Sequence, residues 1–201
     1  MKGYLKKDFY LTLGYCRSIF LIVIVFTAIG CFQTGNYFFV YYPSVMVSMI
    51  SVSLLSYDER EHFCAYAATM PQTRASYVSA KYLYELMFGA AFLVLSVAAH
   101  AICGNFSGAE LLTLAATLGI LVLLTSAITM PFMFRFGVEK GRMVYYVMIG
   151  VATVFAMLLP RSSLAGKLGE GTFFGGLCAI TALIYAVSWR LSARFYSQRE
   201  F

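Results

Sequence analysis

Residues 18–57 form a stretch of forty positions without a single charged side chain. As one continuous helix, such a run would extend about 60 Å, twice the hydrocarbon thickness of a bilayer. It therefore has to fold back on itself, and Gln33, Thr34, Gly35 and Asn36 supply the polar turn. Further uncharged runs occupy residues 86–109, interrupted by Gly104 and Asn105, and residues 111–134, 143–160 and 171–189. The pattern predicts an all-α chain with six membrane spans, at 18–34, 37–56, 78–103, 109–133, 143–160 and 171–190.

The long polar interruption, Tyr57 to Tyr82, separates the second span from the third. Within it Phe63, Tyr66, Ala67 and Met70 recur at i, i+3, i+4 and i+7, and Asp58, Glu59, Arg60, Glu61 and His62 crowd its start. This spacing predicts a short amphipathic helix over 59–70 with acids near its N-terminus, where the helix dipole favours them. Pro71 ends that helix, and Thr73 is placed to cap the next. Such an element is either a polar loop resting on the membrane surface or a docking element for a soluble partner. Ahead of the first span, residues 1–17 set Lys2, Lys6, Lys7 and Arg17 among Tyr4, Leu5, Phe9, Tyr10, Leu11, Leu13 and Tyr15. They read as an amphipathic helix lying in the membrane interface, so that residues 1–201 form one membrane domain with an interfacial helix at 1–17 and a polar loop at 57–77.

Composition agrees: 61% of residues are hydrophobic and 12% charged, far from the roughly 25% charged of soluble domains. Of the 15 Lys and Arg residues, only Arg161 and Lys167 fall on one side of the predicted spans, thirteen against two. The positive-inside rule places both termini and the 57–77 loop in the cytoplasm. Anionic membrane lipid accounts for the net charge of +6, and no nucleic acid is needed. The five cysteines show neither metal-ligand nor disulfide-framework spacing, although Cys31 and Cys103 both fall near the outer ends of their spans, where a pairing stays open.

Span 3 carries Glu85 one helical turn from Lys81, which predicts a local i,i+4 pair in preference to a proton or substrate site. His100 is expected at the outer interface. Span 4 is expected to end at Met130-Pro131 and to lead into a basic loop holding Phe136, Gly137, Glu139, Lys140, Gly141 and Arg142, whose two glycines allow positive φ and close backbone approach. Gly171 and Gly175 stand at GxxxG spacing, a face over which helices can approach closely. No P-loop, H-E-x-x-H or G-x-S-x-G sequence occurs, so neither a catalytic site nor a metal site nor a directly bound nucleotide is expected.

Asp58-Glu59, the run Met70-Pro71-Gln72-Thr73-Arg74, the pair Tyr77-Val78 and then Ala80-Lys81-Tyr82 together resemble the loop after the second helix of bacterial ABC-2 type permeases. Residues 136–142 are similar to the loop after their fourth helix. The likeness is strongest to small six-helix permeases that include exporters of phenol-soluble-modulin-like peptides and relatives linked to antimicrobial-peptide immunity; Gln72 departs from the small apolar residue of that pattern. The resemblance implies a non-enzymatic permease subunit in the bacterial cytoplasmic membrane, paired as a homodimer or heterodimer. It also implies ATP-binding cassette subunits on the cytoplasmic face that bring ATP and Mg. Glu59, Arg60, Phe63, Tyr66, Ala67, Met70 and Pro71 would form the coupling helix on which those subunits dock, with residues 136–142 as a second cytoplasmic loop. The expected substrate is an amphipathic peptide or lipophilic compound. The alternative is a membrane-embedded immunity or sensor protein that binds a peptide without pumping it.

Overall fold

The computed structural model describes residues 2–32, 37–63, 66, 74–104, 107–158 and 170–198. Among the described residues seven helices follow one another: α1 (Lys2–Tyr15), α2 (Arg17–Phe32), α3 (Tyr37–Arg60), α4 (Arg74–Cys103), α5 (Gly108–Phe136), α6 (Val138–Leu158) and α7 (Glu170–Gln198). No strand occurs among the described residues. Four helices, α3, α4, α5 and α7, are long and apolar enough to cross a membrane, and α1 with α2 makes a fifth when that pair, bent by 72°, is counted as one. Among the described residues the measure thus gives four or five spans where the hydropathy pattern predicts six.

Helix α5 is the centre of the bundle and touches α3, α4, α6 and α7. The largest core cluster joins Tyr4 of α1, Val52 and Leu55 of α3, Tyr77 and Tyr82 of α4, Met133 and Phe134 of α5, Tyr145 of α6 and Tyr196 of α7. Tyr4, near the start of the chain, lies 5.7 Å from the ring of Tyr77, and Tyr196, near its end, stacks on the same ring at 5.2 Å. Both ends of the described chain therefore meet at one end of the bundle, where α3 finishes and α4 begins. This is also the basic end.

Pro131 does not end α5, contrary to the expectation from sequence; the helix continues to Phe136. Proline lacks the N–H that would reach the carbonyl four residues back, that of Ala127. Ser188 of α7 donates its hydroxyl to that carbonyl at 2.6 Å, so the orphaned acceptor is satisfied by a neighbouring helix. Tyr82 of α4 closes the arrangement, its hydroxyl 2.8 Å from Ser188 Oγ and 2.7 Å from Ser192 Oγ. At the opposite end, a Cβ on Gly30 would stand 3.1 Å from the Phe39 carbonyl oxygen, the one that Pro43 leaves without its helical donor. Glycine lets α2 close against α3 there.

Among the described residues, nothing beyond its chain neighbours and its own helix backbone lies within 4 Å of a Cβ built on Gly175. The side chain of its GxxxG companion Gly171 is outside the described residues, as are the turn at 33–36, Asn105, Arg161 and Lys167.

Candidate functional site

Four charged side chains from three helices converge at the basic end. Helix α1 places Tyr4, Asp8 and Thr12, spaced by four, on its buried side, with Cys16 buried just past its end, while Phe9, Tyr10 and Leu13 are exposed. The polarity of the helix is therefore inverted, with acid and hydroxyl inward and large apolar groups outward. Asp8 is fully buried and its Oδ1 accepts from Lys81 Nζ of α4 at 2.7 Å. The same ammonium bonds Asp58 Oδ2 of α3 at 2.7 Å. Lys7 reaches Asp58 Oδ1 and lies 3.7 Å from Asp8. The Tyr77 hydroxyl donates to Asp58 Oδ2 at 2.6 Å, and Tyr84 holds Thr12 at 2.7 Å.

Two lysines and two aspartates leave no net charge in this hub, the condition under which burial of ions is tolerated. Lys7 is the most exposed member. Burial, followed by the Lys81 ammonium, lowers its pKa, and the Asp58 and Asp8 carboxylates oppose that shift. Lys81 therefore does not form the i,i+4 pair with Glu85 that the sequence suggests. Two acids distant in sequence offer shorter contacts than an acid on its own helix. Glu85 instead is buried and bonded to Ser126 Oγ of α5, with Oε2 lacking a hydrogen-bond partner among the described residues. His100 is also fully buried within the bundle, its Nδ1 2.8 Å from the Ser96 carbonyl.

The first predicted docking stretch starts differently from its periodicity. Glu59 and Arg60 belong to the last turn of α3, because Asp58 is drawn inward by Lys81 and Lys7 and keeps the helix regular to that point. A turn at Glu61 and His62 follows, with His62 at φ 53°, in the left-handed region that side chains other than glycine rarely adopt. Phe63 then turns inward: the Lys7 ammonium sits 3.5 Å from its ring centroid, and Tyr4 packs on it edge-on at 6.3 Å. Tyr66, by contrast, is 59% exposed. Ala67, Met70 and Pro71 lie outside the described residues.

The second predicted loop shrinks to Gly137, because α5 runs to Phe136 and α6 starts at Val138, so that Glu139, Lys140, Gly141 and Arg142 are helical; this junction is joined to the end of α3. Glu59 Oε2 accepts from the Val138 backbone N–H at 2.8 Å, filling one of the donors that a helix N-terminus leaves unpaired and placing a carboxylate at the positive end of the α6 dipole. Gly137 takes φ 86°, and its N–H bonds the Met133 carbonyl at 3.0 Å. Gly141 allows close approach: a Cβ there would lie 2.4 Å from Met133 Cγ and 3.2 Å from Met133 Cα. Both properties expected of these glycines are present. Phe136, Glu139, Lys140 and Arg142 are exposed beside them. Gly141→Ala should destabilise the protein by about 1–3 kcal/mol, the usual cost of overpacking, seen as a lower unfolding midpoint in detergent, whereas Gly175→Ala should leave the midpoint unchanged.

Asp8, Thr12 and Ser126 were not singled out in the sequence. The one available signal for the first two was their four-residue spacing with Tyr4 and Cys16. No group of three or more His, Cys, Asp or Glu able to hold a metal occurs among the described residues.

No curated protein and no solved structure matches the chain. A family model described as "ABC-2 family transporter protein" matches residues 3–197, from the start of the inverted helix α1 to the last turn of α7. With a helical membrane bundle whose two basic-end loops are bonded into one surface, the chain belongs to the ABC-2 family of transporter proteins, a membrane permease for which membership implies an ATP-binding partner.

Proposed function

We propose that this permease works as the membrane subunit of an ATP-driven exporter that moves amphipathic peptides or lipophilic compounds out of a bacterial cell. In this reading the basic end faces the cytoplasm, ATP and Mg are bound and used by separate ATP-binding subunits, and two permease chains assemble as a homodimer or heterodimer. The observation that carries it is the Glu59–Val138 bond, which joins the end of α3 to the start of α6 and supports reading the two as one docking surface. A partner pressing on that surface moves helices α3 and α6 together, and the Lys81 hub extends the push to α1 and α4. Binding a peptide without pumping is the competing reading.

Reconstitution separates the two. Co-expressed with its ATP-binding subunit and placed in vesicles, the permease should accumulate a fluorescent amphipathic helical peptide on ATP addition, and a subunit unable to hydrolyse ATP should abolish that accumulation. Saturable peptide binding with no copurifying ATP-binding subunit and no ATP dependence would establish the sensor instead.

A further inference from the structure

Three helices meet through polar side chains inside the bundle. Glu85 of α4 is 3% exposed, and its Oε1 is bonded to Ser126 Oγ of α5, while Ser51 of α3 faces the same carboxyl. One turn further along α4, a Cβ on Gly89 would stand 3.0 Å from Val122 Cγ1, so α4 and α5 are packed tightly beside this contact. Helices α3, α4 and α5 are each long and apolar enough to cross a membrane. A charge is expensive in such a position, and ionisable residues held there mark functional sites.

No counter-ion reaches Glu85 among the described residues. Lys81, one turn away on the same helix, is bonded to Asp8 of α1 and Asp58 of α3 at 2.7 Å, and Lys7 serves the same two acids. On α2, Arg17 bonds the Leu13 carbonyl and Cys31 lies beside Cys103. The charged residues of α5, Glu110 and Arg135, stand in its first and last turns, and Arg190 and Arg194 of α7 are exposed. The groups within electrostatic reach of the carboxyl are phenols: Tyr82, Tyr145 and Tyr185, bonded to Ser188 and Ser192, to the Val45 carbonyl and to the Tyr82 carbonyl. None of them brings a positive charge.

The hydrogen count at Ser126 decides the state of the carboxyl. Ser126 has a single hydroxyl proton, and its Oγ lies 2.7 Å from the Val122 carbonyl oxygen, which can only accept. An ionised carboxylate can only accept as well, so two acceptors would claim one proton. A proton on Glu85 removes the conflict: Glu85 donates to Ser126 Oγ, and Ser126 donates to the Val122 carbonyl. The uncharged acid also makes it tolerable that Oε2 has no hydrogen-bond partner among the described residues, since burying a neutral group costs far less than burying a charge. A metal ion at Oε2 would cancel the charge but supply no hydrogen to the Ser126 contact.

We propose that Glu85 is a proton-binding site within the membrane domain, a neutral acid that joins α4 to α5 through Ser126 and to α3 through Ser51. The proton stays while the three helices are packed and leaves when water enters between them, because only then is the carboxylate solvated. Neither the transported substrate nor the ATP-binding partner is needed for this.

Infrared spectroscopy of the full chain, purified in detergent at neutral pH in choline chloride or sodium chloride, tests it. The wild type should show the carbonyl stretch of a protonated carboxyl, and Glu85→Gln should lose that band. Ser126→Ala removes the acceptor by deleting one oxygen, and should keep the band but shift it to higher wavenumber; it reads the same contact if Glu85→Gln fails to fold. A wild-type spectrum without the band, or a band that neither variant alters, would show that Glu85 holds no proton and overturn the proposal. Loss of the band when sodium replaces choline would give the carboxyl to a metal ion and overturn it equally.

Discussion

Lys81→Met is expected to be the most damaging single substitution in the basic end, costing about 3–5 kcal/mol, because removing one partner of a buried ion network leaves the others uncompensated. Among the described residues the Lys81 ammonium is the only group bonded to both Asp8 and Asp58 at 2.7 Å, and all three side chains are almost fully buried. Lys7 cannot take over, since it already serves Asp58 and stands 3.7 Å from Asp8. The loss should be visible as a lower midpoint of thermal unfolding in detergent. Adding Asp8→Asn to Lys81→Met removes the stranded charge and should recover a large part of it, which would show that electrostatic imbalance rather than lost packing is responsible. Lys6→Met, on the exposed side of the same helix as Lys7, is the control. A midpoint for Lys81→Met equal to that of Lys6→Met would mean that the network contributes nothing.

Phe63 and Tyr66, which the sequence places on one face of a coupling helix, should behave differently when changed singly. Phe63 covers the Lys7 ammonium and touches Tyr4, so Phe63→Ala strips a cation–π contact and an aromatic edge from the hub. Cation–π contacts contribute about 0.5–2 kcal/mol, and the variant should lose stability together with ATPase coupling. Tyr66 is exposed, and Tyr66→Ala should leave the unfolding midpoint alone while lowering recovery of the ATP-binding subunit, because an exposed aromatic ring is typical of the anchors that dominate interfaces. Normal copurification and normal transport in Tyr66→Ala would show that this stretch is a surface loop. A loss of stability in Tyr66→Ala equal to that of Phe63→Ala would show that the ring is internal in solution.

The helices were legible because long uncharged runs leave few alternatives in a membrane, and the basic end was legible because charge counts survive errors in helix boundaries. Gly137 and Gly141 were legible too: glycine pairs beside a helix end point to a turn and a close approach, and both are found. The charged hub was not. Lys81 and Glu85 satisfy the local spacing rule, yet the lysine's partners lie 73 residues back, at Asp8, and on α3, at Asp58, and no one-dimensional pattern encodes those distances. The Pro131 reading failed for a similar reason. Proline's effect on a helix is local, but Ser188, which satisfies the Ala127 carbonyl that Pro131 leaves without a donor, comes from another helix, 61 residues after Ala127.

The inverted helix α1 sets an order of events during synthesis. When α1 leaves the ribosome, neither Lys81 nor Asp58 exists, and Asp8 has no counter-ion from outside its own helix. A bilayer core does not accept an unpaired carboxylate cheaply, so α1 stays where water reaches it until α4 has been made. Only then can Asp8 be taken into the bundle. Helix α1 is thus locked only after α3 and α4 have been made, and a chain truncated before residue 81 should leave helix α1 open to protease.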